Sequence, residues 1–316
     1  MPLAARTVRT FGKNEKYEMK LDVRIKLGKS AFLIALAVNS VPALASDCAS
    51  NYSSRMGSEA LEVCAASLQP SDLGQSVILG DIFFYGRGPK PDKQRAISYY
   101  TRAAAAGHSE AQWKLAQALK SLDAPPEVWL GWIEKSAMTR NGDALDALAS
   151  GDWRTDESKD PKDRRLSELN LQALIRVATL AKLDDDRYAQ VTSRIGYMYD
   201  KGVGAAPNRQ EAVTWFIRAG ERGGYKALWF ALKTYKLGDG IPKNSVRAEQ
   251  LLALFFDKQK DFFASNSKAY IDWLTQAADL GFSSAALRLA DIYDKGAHGV
   301  VPSSDTAARL RKQARD

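Results

Sequence analysis

Histidine and cysteine are nearly missing from this chain, which has two of each in 316 residues. His108 falls in a Gly-His-Ser turn and His298 in an Ala-His-Gly loop, and neither has the second His, Cys or spaced carboxylate of a metal site. Asp184-Asp185-Asp186 lacks the alternating spacing and the glycine of a calcium loop and reads as the start of a helix. Ser265-Asn266-Ser267-Lys268 fits an S-x-x-K pattern, but the S-D-N and K-T-G elements that this chemistry needs are absent. With no set of acid, base and nucleophile, no metal set and no cofactor motif, the chain reads as a non-enzyme without metal or cofactor.

Long apolar runs are missing too. The run Ala31 to Val38 has eight residues, far short of the about 20 that span a bilayer. Residues 1–30 carry eight Lys or Arg against three acids, and Ala43-Leu44-Ala45 has the A-x-A form of a cleavage site. Residues 1–45 therefore read as an export signal, starting at Met1 or at Met19. No twin arginine precedes the apolar run, and Asp47 before Cys48 fits a lipoprotein poorly. A periplasmic chain beginning at Ser46 or Asp47 is expected, with no membrane span.

An excess of one charge is the third absence. Removal of residues 1–45 leaves 37 basic and 34 acidic residues, so the high pI belongs partly to the signal. A nucleic-acid partner loses its main support. Residues 152–165 hold five acids and five bases and form no basic patch. The two cysteines, Cys48 and Cys64, lie just past the signal, and in an oxidising compartment a bridge between them is expected to staple the first unit. Such a bridge stabilises by about 3 kcal/mol when unstrained.

What is present is repetition. LGDIFFYGRGPKPDKQRAISYYTRAAAAGHSEA (79–111) and IGYMYDKGVGAAPNRQEAVTWFIRAGERGGYKA (195–227) share one grammar, and weaker copies begin at Tyr235 and Ile292. An aromatic residue (Phe83, Tyr199, Tyr235) is followed by paired glycines: Gly86 and Gly88, Gly202 and Gly204, Gly238 and Gly240. The fourth copy stretches the pair to Gly296 and Gly299. A first helix ends at each pair, since glycine takes the positive φ that closes a helix. Eight residues past the second glycine stands an alanine (Ala96, Ala212, Ala248, Ala307) inside a second helix of apolar i, i+3, i+4 spacing. Small residues at fixed places let two helices approach closely. No β-rich stretch is present.

This order of glycines, alanines and aromatics resembles the Sel-one-like repeat family, a relative of the tetratricopeptide repeats. The resemblance implies an all-α, right-handed solenoid of antiparallel helix pairs. It divides the chain into a signal (1–45), an N-terminal capping segment (46–74) with a helix around Met56 to Leu68, repeat block one (75–150), a charged linker or loop (151–170) and repeat block two (171–316). In related repeats one register of the first helices faces a concave groove. Trp113 and Trp229 stand at that register, with Ser193 and Leu287; Tyr197, Lys233 and Asp291, then Asp200, Lys236 and Asp294, follow one turn on. Trp215 and Trp273 occupy second helices and read as core. The family implies an adaptor that holds protein partners of the cell envelope in that groove, with a role in envelope polysaccharide production or secretion as an alternative. A hydrolase is a further, weaker one.

Overall fold

The glycine and aromatic grammar becomes a helix-pair geometry in the computed structural model, which describes residues 58–86, 90–150 and 161–315. All regular structure there is helical. The order is α1 (Ser58–Ser67), α2 (Leu73–Tyr85), α3 (Lys93–Ala105), α4 (Ser109–Lys120), α5 (Pro126–Met138), α6 (Gly142–Ser150), α7 (Pro161–Leu180) and α8 (Asp185–Lys201). Then come α9 (Arg209–Glu221), α10 (Tyr225–Leu237), α11 (Ser245–Lys258), α12 (Lys260–Ser265), α13 (Ser267–Asp279), α14 (Ser283–Lys295) and α15 (Ser304–Gln313). Neighbouring helices pack as pairs, α2 on α3, α4 on α5, α8 on α9, α10 on α11 and α14 on α15, and further contacts carry the stack along the chain, α3 on α4, α5 on α7, α7 on α8, α9 on α10 and α13 on α14. The result is an all-α solenoid of antiparallel helix pairs. The expected signal and its cleavage point, Cys48 and Gly88 lie outside the described residues.

Three backbone features explain the repeated residues. First helices α2, α8, α10 and α14 end on Gly86, Gly202, Gly238 and Gly296, each left-handed with φ between 64° and 75°. The chain then turns back and latches onto the aromatic residue of the helix it has just left. The N–H of Asp92 donates to the carbonyl of Phe83, Asn208 to Tyr199, Asn244 to Tyr235 and Ser303 to Tyr293, all at 2.8–2.9 Å. The same four residues cap the second helix: their side-chain oxygens accept from the N–H groups of Arg95, Glu211, Arg247 and Thr306. A cap of this kind stabilises by about 1 kcal/mol. One residue thus closes the turn and starts the helix.

Second helices end through a bond from residue i to the carbonyl of i−5, as first helices α8 and α10 also do at Val203 and Asp239. His108 donates to Ala103, Asn141 to Ser136, Gly224 to Ala219 and Phe282 to Ala277. The left-handed residue just before is Gly107, Gly223 or Gly281 in three copies and Arg140 in the fourth. The pair α4–α5, which lacks the double glycine, turns on Asp123 with φ 54°. The geometry persists there without the glycine that marks it elsewhere.

The repeat alanines are the points of close approach. Ala96, Ala212, Ala248 and Ala307 have no exposed surface, nor do Ala103 and Ala219. Around them the core runs in three consecutive clusters, from Leu61 to Ala118, from Ala116 to Trp215 and from Ala212 to Leu310. Polar ties join neighbouring pairs: Asp81 on α2 accepts from Tyr100 of α3 at 2.7 Å and from Lys114 of α4 at 2.6 Å. Burial works against the Lys114 ammonium, yet its bonds to Asp81 and Glu110 hold its pKa above the ordinary value.

One boundary differs from the sequence expectation. Residues 161–170, given above to a charged linker, are the first half of α7. The charged residues there form the solvated side of an amphipathic helix whose other side puts Leu166 and Leu169 against the core. Pro161 suits the first helical position, where an N–H has no partner anyway. Since α7 packs on both α5 and α8, the core is continuous through this region.

The N-terminal helix is tied on by a bidentate pair. Arg95 of α3 reaches both carboxylate oxygens of Glu62 on α1, at 2.6 and 2.9 Å, and lies 4.0 Å from the Phe83 ring. The Arg95 hydrogen bond holds the Glu62 carboxyl below its ordinary pKa. A carboxyl lowered on folding stabilises above its unfolded pKa, about 4.3, and that stabilisation is lost as pH falls through the folded value. We expect α1 amides to lose exchange protection relative to the rest of the array between pH 6 and about pH 3. Arg95→Ala should remove that pH-dependent difference; equal behaviour of the two proteins would show that the pair does not hold the helix.

Candidate functional site

The groove register places its residues on first helices and exposes some of them. On α8, Tyr197 is 41% exposed between the buried Gly196 and Met198. On α14, Leu287 is 51% exposed beside the buried Ala286. On α10, Lys233 is exposed beside the fully buried Leu232. Each of these helices thus presents one face to the core and leaves on the other a tyrosine and a lysine at one turn and, one turn earlier on α14, a leucine.

The remaining members are held more firmly. Trp113 on α4 is half-buried against the middle core cluster. Trp229 on α10 is also half-buried, edge-on to Trp273 of α13 at 4.5 Å and tilted against Phe255 of α11 at 5.3 Å. Lys236 donates to the carbonyl of Gly281 and lies 4.9 Å from the Phe282 ring, so it clamps the turn between α13 and α14. The acids of the register are engaged within the array. The Asp200 side chain is 4% exposed and pairs with Arg209 and Lys201; Asp294 pairs with Arg311, and Asp291 with Lys295. The face that remains is aromatic, apolar and cationic.

Trp273, read from sequence as core, belongs with Trp229. It is half-buried, and its indole also meets Tyr225 at 6.4 Å and Phe255 at 5.0 Å. The six-residue α12 precedes its helix and breaks the repeat spacing, so no register could assign it. Trp215 is buried as expected, with the Arg218 guanidinium 4.4 Å from its ring.

The residues weighed for chemistry take structural places. His108 caps α4 by accepting from the Ala111 N–H at 3.3 Å, and Asp184 caps α8 by accepting from Arg187 at 2.9 Å. Ser265 donates to the Phe262 carbonyl at 3.0 Å, an ordinary bond within its helix. His298 lies in the turn Ala297–Gly299, its Nδ1 3.3 Å from the Ser267 hydroxyl and its ring 5.1 Å from Tyr270. Cys64 is buried in the first core cluster, and its expected partner lies outside the described residues. Among the described residues no three His, Cys, Asp or Glu side chains converge for a metal, and no helix is long and apolar enough to cross a membrane.

Comparison with known proteins bears on the repeat itself. The Sel1 repeat model matches residues 77–108, 191–224, 231–257, 271–282 and 283–314. An uncharacterized protein of Neisseria meningitidis serogroup B is 28% identical over 224 residues, which is 68% of this chain and 45% of that protein. The chain thus spans less than half the length of that relative. Among solved structures, a Sel1 repeat protein from Oxalobacter formigenes is 25% identical, with 81% of this chain and 93% of that one covered and a TM-score of 0.30. A protective antigen of uropathogenic Escherichia coli strains, displaying an SLR fold, is 18% identical, with 81% and 63% covered and a TM-score of 0.28. Four of the five matched segments coincide with the latched helix pairs described above, the fifth, 271–282, falls on α13 and the turn after it, and the chain belongs to the Sel1 repeat proteins.

Proposed function

We propose that this helical scaffold is an adaptor of the cell envelope that holds a protein partner on the exposed stripe of its first helices. The observation that carries the reading is the exposure of Tyr197, Lys233 and Leu287 along one stripe, on helices whose opposite faces are buried. Binding energy in protein interfaces concentrates in aromatic and cationic side chains of this kind. Trp113 and Trp229 then form the rim or floor of the same surface. Periplasmic location and the Cys48–Cys64 bridge are part of the proposal, supported by the basic, apolar and A-x-A order of residues 1–45. A role in polysaccharide production is less favoured. A sugar-binding surface would set out tryptophan faces in a line, whereas Trp229 and Trp273 meet each other edge to face.

The test uses exposed residues, so that binding and folding are separable. Tyr197→Ala, Lys233→Glu and Leu287→Ser together should leave helical content and melting within about 1 kcal/mol of the parent chain. The same variant should lose a partner captured from a periplasmic extract, by about 2 kcal/mol or more. Undiminished recovery of that partner would remove the stripe from consideration. The double change Trp113→Ala, Trp229→Ala should reduce both stability and capture, because each indole is half in the core.

A further inference from the structure

Two departures from the repeat grammar meet at one place. The first is the six-residue α12, inserted between α11 and α13 where other copies pass from one pair to the next. The second is the extra residue of the fourth turn, His298, whose φ of 56° is left-handed for a non-glycine residue. Such backbone positions concentrate at functional sites. Between them lies a cavity of about 390 Å³. Its floor is Phe256 and Phe263, both more than nine-tenths buried, and Tyr270 forms a wall. Lys260, Arg288 and His298 line its exposed rim, opposed by the single acid Asp257.

The rim cations are uncommitted. Among the described residues neither Lys260 nor Arg288 has a carboxylate within ion-pair distance, and the Arg288 guanidinium lies 5.8 Å from the Phe256 ring. A second concavity of about 310 Å³ shares Phe256 and Arg288 and continues along α11 and α14. Its one acid, Glu249, is engaged by the Ser283 N–H and the Ser284 hydroxyl at the start of α14. An apolar floor with basic groups at the edge and a shallow extension on one side fits an extended chain better than an enclosed small molecule.

We propose that this cavity is a second recognition site, which seats an apolar side chain of an acidic peptide segment on Phe256 and Phe263 while the flanking carboxylates meet Arg288 and Lys260. The proposal rests on the adaptor reading but uses residues outside the first-helix stripe, although Arg288 shares α14 with Leu287. The charge complementarity is what selects the partner: two cations, Lys260 and Arg288, face one carboxylate at the rim.

The experiment measures anisotropy of a fluorescein-labelled peptide, acetyl-Glu-Glu-Phe-Glu-Glu-amide, titrated with the full chain. Peptides with Ser for Phe, or Gln for every Glu, serve as controls. We expect the first peptide to bind at least about tenfold more tightly than either control, with affinity falling as salt rises. Arg288→Glu with Lys260→Glu should reduce its affinity by about tenfold or more without changing helical content. The triple variant of Tyr197, Lys233 and Leu287 should bind the peptide as the parent does, so failure of the stripe and failure of the cavity are distinguishable. Affinity indifferent to charge reversal, or no preference for Phe over Ser, would overturn the proposal. Equal binding of phenylacetate and the peptide would also overturn it, by assigning the cavity to a small organic acid.

Discussion

Gly204→Val should destabilise the centre of the array by roughly 3 kcal/mol or more, among the largest effects of any single change outside the core. Two costs act together. Gly204 has φ 76°, a conformation that costs an L residue about 1–2 kcal/mol and a β-branched one more. A Cβ built there would also lie 2.4 Å from the Ser167 carbonyl oxygen, which is backbone and can move only if α7 moves. Gly202→Val should behave similarly but less severely, since its Cβ would meet the Pro207 ring at 2.6 Å in the same turn. Repeat arrays couple mainly to neighbours, so exchange protection should fall in α7, α8 and α9 and persist in α2 and α14. Uniform loss across the chain would contradict the solenoid description. An unchanged melting temperature would show that this turn does not bear on α7.

Phe255→Ala should cost about 3–5 kcal/mol. Phe255 is fully buried and joins four rings, Trp229, Phe256, Phe263 and Trp273, at centroid distances of 5.0–6.1 Å. It links α10, α11, α12 and α13 where the repeat spacing fails, so no other element can take over its role. The expected readout is a lowered denaturation midpoint with tryptophan fluorescence shifted to the red, as Trp229 and Trp273 lose their packing. A stability within 1 kcal/mol of the parent would mean that this aromatic cluster is incidental to the C-terminal pairs.

These two changes separate what is legible in the sequence from what is not. The helix ends are legible because their chemistry is local. Gly202, Gly238 and Gly296 announce a left-handed residue, and the position of Asn208 or Asn244 follows once that turn is placed. The alanines are legible for the same reason, since their spacing states that helices cross closely. Asp123 and Arg140 escape notice because each adopts the same backbone conformation without the residue type that signals it.

The surface is less legible, because exposure depends on which helix comes next. Trp229 and Tyr197 share a face of their helices, yet one is half-buried and the other exposed. The difference is Trp273, contributed by a helix 44 residues on in sequence whose register α12 has shifted. The start of α7 is hidden in a similar way: charged residues dominate 161–165, and the apolar period that carries the contact is visible only from Leu166 and Leu169 onward. The cavity under Arg288 is legible only as two irregularities, which the fold brings together.

The exposed face of the first helices is the surface we propose for partner capture. It is tested most directly by placing a photo-crosslinking amino acid at Tyr197, Lys233 or Leu287, and at Glu221 on the second helix α9 as a control, in cells expressing the full chain. A common protein adduct from the three first-helix positions, and none from Glu221, is the expected result. Adducts from Glu221 with none from the other three would contradict it.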